Sequence, residues 1–185
     1  VNKKELIDGS SVKEGDLVLG MSSNGLHSNG YSLARRVLFE KLKLKLSDKP
    51  NPLKCSVGEE LMKPTKIYVR TVLSLKNSFK IHALAHITGG GLIENLPRVI
   101  PKGLKAVLDS SLWRLPPIFE LIKMKGRIDD VEMYRTFNCG IGMILIVSST
   151  DTNRVLMKLR DLKEKAMVIG EIKKRKRGEP GVLIN

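Results

Sequence analysis

Cysteine is almost absent from this chain: Cys55 and Cys139 are the only two, they lie far apart, and neither belongs to a CxxC pair. That excludes a disulfide framework, gives no sign of a structural zinc site, and suits a reducing, cytoplasmic setting. Aromatic residues make up only 4% of the sequence. With none interleaved among the basic runs, a stacking surface for single-stranded nucleic acid is not indicated. Acidic residues are short as well: 19 Asp and Glu face 33 Lys and Arg, for a net charge of +14. Such an excess favours anionic partners, whether nucleic acid, anionic lipid or phosphorylated metabolites, and does not choose among them. No apolar run approaches the roughly 18 residues that span a bilayer; the longest, around Ile141 to Val147, is strand-sized. Val1 to Gly9 carries no apolar signal-peptide segment. The chain opens on Val and runs at once into patterned sequence, which suggests a piece of a longer polypeptide; a recombinant or processed chain would look the same.

What is present is ordinary globular material: 185 residues, 42% hydrophobic and 28% charged, enough for one sizeable core. Leu17 to Met21 is a short apolar run of strand type, followed by the polar loop Ser22 to Gly30. Tyr31, Leu33, Ala34, Val37 and Leu38 then recur at helical spacing. Ser47 to Cys55 holds two prolines and reads as a connector, and Val57 to Leu75 as helix interrupted or restarted near Pro64. Ile81 to Ile87 alternates as a strand, with Ile81, Ala83, Ala85 and Ile87 on one face and His82, Leu84 and His86 on the other. A short helix, Leu92 to Leu96, stops at Pro97, and Lys105 to Asp109 is a further strand. Pro117 to Lys125 is helical, and Asp129 with Glu132 has the spacing of a capping box. Gly142 to Ser148 is the central-strand candidate and Asp151 to Lys165 an amphipathic helix. Met167 to Lys174 and Val182 to Ile184 are expected to pair as a closing hairpin. Interleaved strands and helices without a linker or repeat give an α/β (mixed α+β) single domain over residues 1–185, a mixed sheet with packed helices.

Two loops stand out because each follows a strand, is rich in Gly and small polar residues, and leads into a helix. Helix starts offer unpaired N–H groups, and Gly lets the backbone approach an oxyanion. The first loop carries His27, Ser28, Asn29 and Gly30; the second carries Thr88, Gly89, Gly90 and Gly91. Neither matches Walker A or GxGxxG, and the spacing serves a tight turn as well as an anion cradle. His27, among Ser and Asn, is the histidine best placed to act as acid, base or phosphate partner. His82 and His86 are expected to be hydrogen-bonded structural residues. Asn138 precedes two glycines and the central strand, where it either meets a ligand or satisfies loop backbone. Cys139 reads as a small buried hydrophobe and not a nucleophile. The run Lys173 to Arg177 is read as a solvated turn.

The blocks GDLVLGMSSNGLHSNGYSLAR, MKPTKIYVR, HALAHITGGGLIENLPRVIP and EMYRTFNCGIGM, in this order and at these separations, resemble the C-terminal half of the phosphoribosylformylglycinamidine cyclo-ligase family, also called aminoimidazole ribonucleotide synthetase. The resemblance runs from about Ile7 to the closing strand. The wider superfamily includes selenophosphate synthetase, formylglycinamidine synthetase, thiamin-monophosphate kinase and a hydrogenase maturation factor. It implies a cytoplasmic ligase of purine biosynthesis that uses ATP and Mg2+ for ring closure, with a ribose-phosphate substrate. It implies His27 as the catalytic candidate, and Ser28, Asn29, Gly30, Thr88, Gly89, Gly90, Gly91 and Asn138 as the substrate- or phosphate-binding set; no metal ligand is assigned. In this family an N-terminal domain supplies the nucleotide and magnesium site and the homodimer interface. No acidic cluster here replaces it, so no cofactor is expected to be held tightly and this chain alone is expected to be inactive. Neither nucleic acid nor membrane is an expected partner. The other readings are a different ATP-using member of the superfamily, a basic nucleic-acid-binding module, or a plain interaction domain.

Overall fold

The computed structural model describes residues 6–185. Val1–Glu5, the start of the stretch read as lacking a signal segment, lie outside the described residues. Among the described residues six strands form one mixed sheet: β1 (Leu17–Ser22), β2 (Ala83–His86), β3 (Leu104–Leu108), β4 (Ile141–Val147), β5 (Ala166–Lys174) and β6 (Val182–Ile184). Their spatial order is β2-β4-β1-β5-β3-β6, antiparallel throughout except for the parallel pair β3–β6. The fold class is the mixed α/β domain that the interleaving predicts.

The apolar run of β4 is long because both of its faces are covered, and its period of two sorts it between two cores. Ile144 and Ile146 pack with Val18, Ala83, Ala85, Leu92 and Leu96 on one side. Leu145 and Val147 pack with Leu19, Met21, Leu75, Val155 and Leu159 on the other. The second side is covered by α3 (Val69–Lys76) and α7 (Thr152–Asp161), and the first by α4 (Gly91–Asn95) and its 3-10 continuation Leu96–Val99. A third cluster, away from the sheet, joins α1 (Tyr31–Arg35) and its π-helical extension Arg36–Lys41 to α5 (Pro117–Gly126), α6 (Asp130–Thr136) and the loop residues Leu26, Leu53, Phe137 and Cys139. Phe119 and Phe137 meet there edge to face, ring centroids 5.8 Å apart.

Register decides where the loops go. β1 and β2 both run antiparallel to β4, with Ser22 opposite Ile141 and His86 opposite Met143. The exits of β1 and β2 and the entry of β4 therefore lie at one end of the sheet. The segments following Ser22, following His86 and preceding Ile141 are gathered there, though widely separated in sequence.

Three expectations are corrected. β5 and β6 do not form a hairpin: β3 lies between them, antiparallel to β5 and parallel to β6. The connection has to cross two strand spacings, roughly 10 Å, and is held over the start of β3 by Arg175 N–H donating to Gly103 O and by the Lys105–Glu179 ion pair. At Asp129 only half of the capping box exists: its carboxylate accepts from Glu132 N–H at 2.8 Å, while Glu132 accepts from Thr136 Oγ1. The reciprocal box sits at Ser56 and Glu59, opening α2 (Val57–Leu61). Ile81 packs with the α3/α7 core and not with Ala83 and Ala85, because it precedes the strand and escapes its alternation.

Candidate functional site

Beyond β1 the chain rises into the first loop, and His27 turns back into the protein in the left-handed region, φ 56°. Only 3% of it is exposed. The expectation of a titrating imidazole in an open polar loop is corrected, for the loop is polar but this ring is its buried anchor. Nε2 accepts from Asn24 N–H at 2.9 Å and from Lys66 N–H at 3.5 Å. A nitrogen that accepts carries no proton, so the neutral ring bears its hydrogen on Nδ1, which is buried without a partner among the described residues. Burial first, then the charges of His86 and Lys66, push its pKa down to about 4. At neutral pH His27 is therefore a hydrogen-bond donor through Nδ1 and not an imidazolium acid.

Tyr68 and His86 complete a group of three rings. Centroids lie 6.2 Å apart for His27–Tyr68 and His27–His86, and 5.9 Å for Tyr68–His86. The Tyr68 hydroxyl donates to Ser22 O at 2.9 Å, and Lys66 Nζ lies 5.2 Å from its ring centroid. His86 is exposed at the rim of an apolar hollow of about 340 Å³, which corrects its assignment as a hydrogen-bonded structural residue. His82 does have that role: its Nδ1 meets Asp16 Oδ2 at 2.6 Å in the interior.

The second loop is organised by a residue that sequence reading passed over. Asn95, buried in α4, donates from Nδ2 to Gly91 O at 2.8 Å, Gly89 O at 3.1 Å and Thr88 O at 3.4 Å. Its Oδ1 accepts from Thr88 Oγ1 at 3.3 Å. The three glycines then divide. Gly90 is left-handed, and a Cβ there would sit 2.6 Å from Glu94 Oε2; at Gly91 it would lie 2.1 Å from Tyr134 O. Both are required by the fold. Gly89 is exposed, and the nearest atom to a Cβ would be Asn29 Oδ1 at 3.8 Å. The two loops therefore face each other through Asn29 and Gly89.

The third segment joins them. Phe137 packs its ring against Gly30, where a Cβ would lie 2.3 Å away, and sets its carbonyl against Gly91. Asn138 is buried and holds three partners: Oδ1 accepts from Ser23 Oγ at 2.9 Å and Gly140 N–H at 2.8 Å, and Nδ2 donates to Gly25 O at 3.0 Å. It latches the first loop to β4, the loop-satisfying alternative of the sequence reading. Cys139 is an inert core thiol, its pKa pushed up to about 12 by burial. Ser28 pairs with Thr65 Oγ1 at 3.0 Å and remains exposed. Among the described residues the backbone amides of Ser28, Gly89 and Gly90 make no hydrogen bond to a protein group, while Asn29 closes the turn at 25–28. α1 and α4 are five residues each, so the donors are loop amides in the main and not a long helix dipole. No group of three or more His, Cys, Asp or Glu among the described residues is placed to hold a metal ion.

The chain has counterparts among known proteins. The model for the AIR synthase related protein, C-terminal domain, matches residues 13–182. The chain belongs to that family. Its curated relatives include the phosphoribosylformylglycinamidine cyclo-ligases of Syntrophotalea carbinolica, 52% identical, and Pseudothermotoga lettingae, 50% identical. Each covers 100% of this chain and is itself covered over 53% of its length, so the chain spans about half of these relatives. Among solved structures, the thiamine-monophosphate kinase from Stenotrophomonas maltophilia superposes over 100% of the chain and 54% of its own, TM-score 0.68 at 18% identity. A Thermotoga maritima PurL complexed with FGAR superposes over 93% of this chain and 26% of its own, TM-score 0.54 at 15% identity. At such identities the shared property is the AIR synthase fold. Sequence reading missed Asn95, Lys66, Tyr68 and His86 as parts of the site; Lys66 and Tyr68 lie inside the MKPTKIYVR block, which was the available signal.

Proposed function

We propose that this chain is the C-terminal half of a cytoplasmic, ATP-dependent cyclo-ligase that closes formylglycinamidine ribonucleotide to aminoimidazole ribonucleotide in purine biosynthesis. The observation that carries the reading is the meeting of two loops with unpaired amides at Ser28, Gly89 and Gly90, beside a buried His27 with an unpartnered Nδ1. Such donors suit phosphoryl oxygens, and phosphoryl transfer is accelerated chiefly by positioning and charge stabilisation. In the reaction the substrate's amide oxygen attacks the γ-phosphorus of ATP and ADP leaves. A substrate nitrogen then attacks the activated carbon, and the carbon–oxygen bond breaks to release phosphate. The loop amides hold phosphoryl oxygens; His27 Nδ1, enclosed in this conformation, donates to an oxygen of substrate or phosphate once the first loop opens around the ligand. The cyclo-ligase names of relatives near 50% identity support this reading, as do a PurL complexed with AMPPCP and another with ATP.

Magnesium does not fit the described residues, which offer no carboxylate cluster, and no step is routed through it here. Its ligands, the nucleotide site and the homodimer contact are assigned to the N-terminal half. An apolar face suits that partner: Ile67 is 80% exposed, Val69 61% and Leu73 53%, around the hollow beside His86. The test is titration of the 15N-labelled chain with ribose 5-phosphate. Saturable shifts at Asn29, Gly89 and Gly90 support the reading. Duplex DNA binding with a steep salt slope, and no response to ribose 5-phosphate, would replace it by a nucleic-acid module.

A further inference from the structure

A second concentration of charge adjoins the first loop. A depression of about 350 Å³ is lined by Ser22, Ser23, Asn24, Lys66, Lys163 and Lys165. Its three ammonium groups come from two distant places, the approach to α3 and the turn from α7 into β5. Ser22 N–H donates to Lys165 O at 2.9 Å, which fastens that turn beside the loop. The fold brings one carboxylate to this point, and it is committed: Glu164 Oε2 pairs with Lys66 Nζ, and Oε1 accepts from Thr71 Oγ1 at 2.9 Å. Lys163 and Lys165 have no carboxylate partner among the described residues, which leaves two positive charges uncompensated in one hollow. Lys163 is moreover left-handed, φ 60°, just past the end of α7. Glycine is the residue that relaxes this position; here a lysine takes it and lines the hollow.

We propose that this depression is a second anion subsite, taking the phosphate dianion of a small phosphorylated metabolite or inorganic phosphate itself. Like charges gathered at one depression are stabilised by a multivalent anion, and lysines recognise phosphate as point charges without demanding one orientation. The three lysines meet at one shallow patch, unlike the extended track that a nucleic acid backbone requires. It is coupled to the loop site through Asn24, whose N–H binds His27, yet its donors are side chains where those of the loops are backbone amides. The proposal does not depend on which reaction the loops serve.

The experiment is a titration of the 15N-labelled chain at low ionic strength, in separate arms, with inorganic phosphate, ribose 5-phosphate and a duplex oligonucleotide. The expected result is saturable shifts at Ser23, Asn24, Lys163 and Lys165. The double substitution Lys163→Gln, Lys165→Gln should weaken phosphate binding roughly tenfold through loss of two charge contacts, with an unchanged thermal transition, whereas Lys163→Arg, Lys165→Arg retains it. Equal affinity for free phosphate and the ester assigns the subsite to phosphate alone; tighter binding of the ester assigns it to a metabolite. Non-saturable shifts, equal affinity in the Gln variant, or preference for the duplex would overturn the subsite. Shifts at Gly89 and Gly90 report the loop site independently, so failure of one site is distinguishable from failure of the other.

Discussion

His27 is kept neutral by the surroundings that bury it, and this gives a pH dependence with a definite sign. Its folded pKa, about 4, lies below the ordinary 6.5. Between these values the unfolded chain binds the proton and the folded chain does not, so stability is full above about pH 6.5 and is lost as pH falls toward 4. The ceiling on that loss is about 3 kcal/mol. Urea unfolding at pH 7 and pH 5 should show the decline, and His27→Gln should flatten it; parallel profiles would mean that other groups cause the acid sensitivity. In the proposed full-length cyclo-ligase His27→Ala should lower turnover on the order of 100-fold, checked by steady-state assay. The glycines separate by the same residue-level argument. Gly91→Ala forces a Cβ onto Tyr134 O and should cost several kcal/mol. Gly89→Ala has room and should change stability by less than about 0.5 kcal/mol while weakening ribose 5-phosphate binding. Chemical denaturation and ligand titration on the two variants check this division.

Short elements carry this site, and side chains hold them in place of helical length. α4 has five residues, below what is stable by itself, so the loop ahead of it depends on Asn95 and its three carbonyl contacts. Asn95→Ala removes them and leaves the Thr88 hydroxyl without its acceptor; it should destabilise the fold by about 2 kcal/mol and speed hydrogen exchange at Gly91 and Glu94 more than in β4. Asn138 does the same for the first loop. Uniform exchange across the sheet and the loops would deny Asn95 this local role. The helix and strand types were legible from periodicity because burial imposes 3.6 and 2 on the apolar positions. Pairing was not: the hairpin expectation for β5 and β6 used adjacency in sequence, while β3 enters between them through contacts of Lys105 and Gly103 that no local pattern announces.

At the scale of the molecule, three core clusters packed around one sheet give this chain a core of its own, and a single cooperative thermal transition is expected. Catalysis needs more. The chain spans 53% of the relatives' length, and the described residues hold no metal-binding carboxylate group. Incubated with ATP, magnesium and formylglycinamidine ribonucleotide, the chain alone should form no product, and supplying the N-terminal half should restore turnover. Product from the chain alone, abolished by His27→Ala, would contradict this division of labour.

Composition, apolar periodicity and the four motif blocks determined the fold class, the elements and the family, because each is written in residues close together in the chain. They also singled out two loops that the fold brings together. Which atom does what was decided only by tertiary structure. Antiparallel register brings three remote segments to one end of the sheet, and burial converts His27 from an open-loop titrating group into a neutral donor. Packing against Tyr134 and Glu94 makes Gly91 and Gly90 structural and leaves Gly89 free. The physical reason is common to all three: desolvation, steric contact and loop convergence depend on neighbours distant in sequence, and no local pattern encodes them.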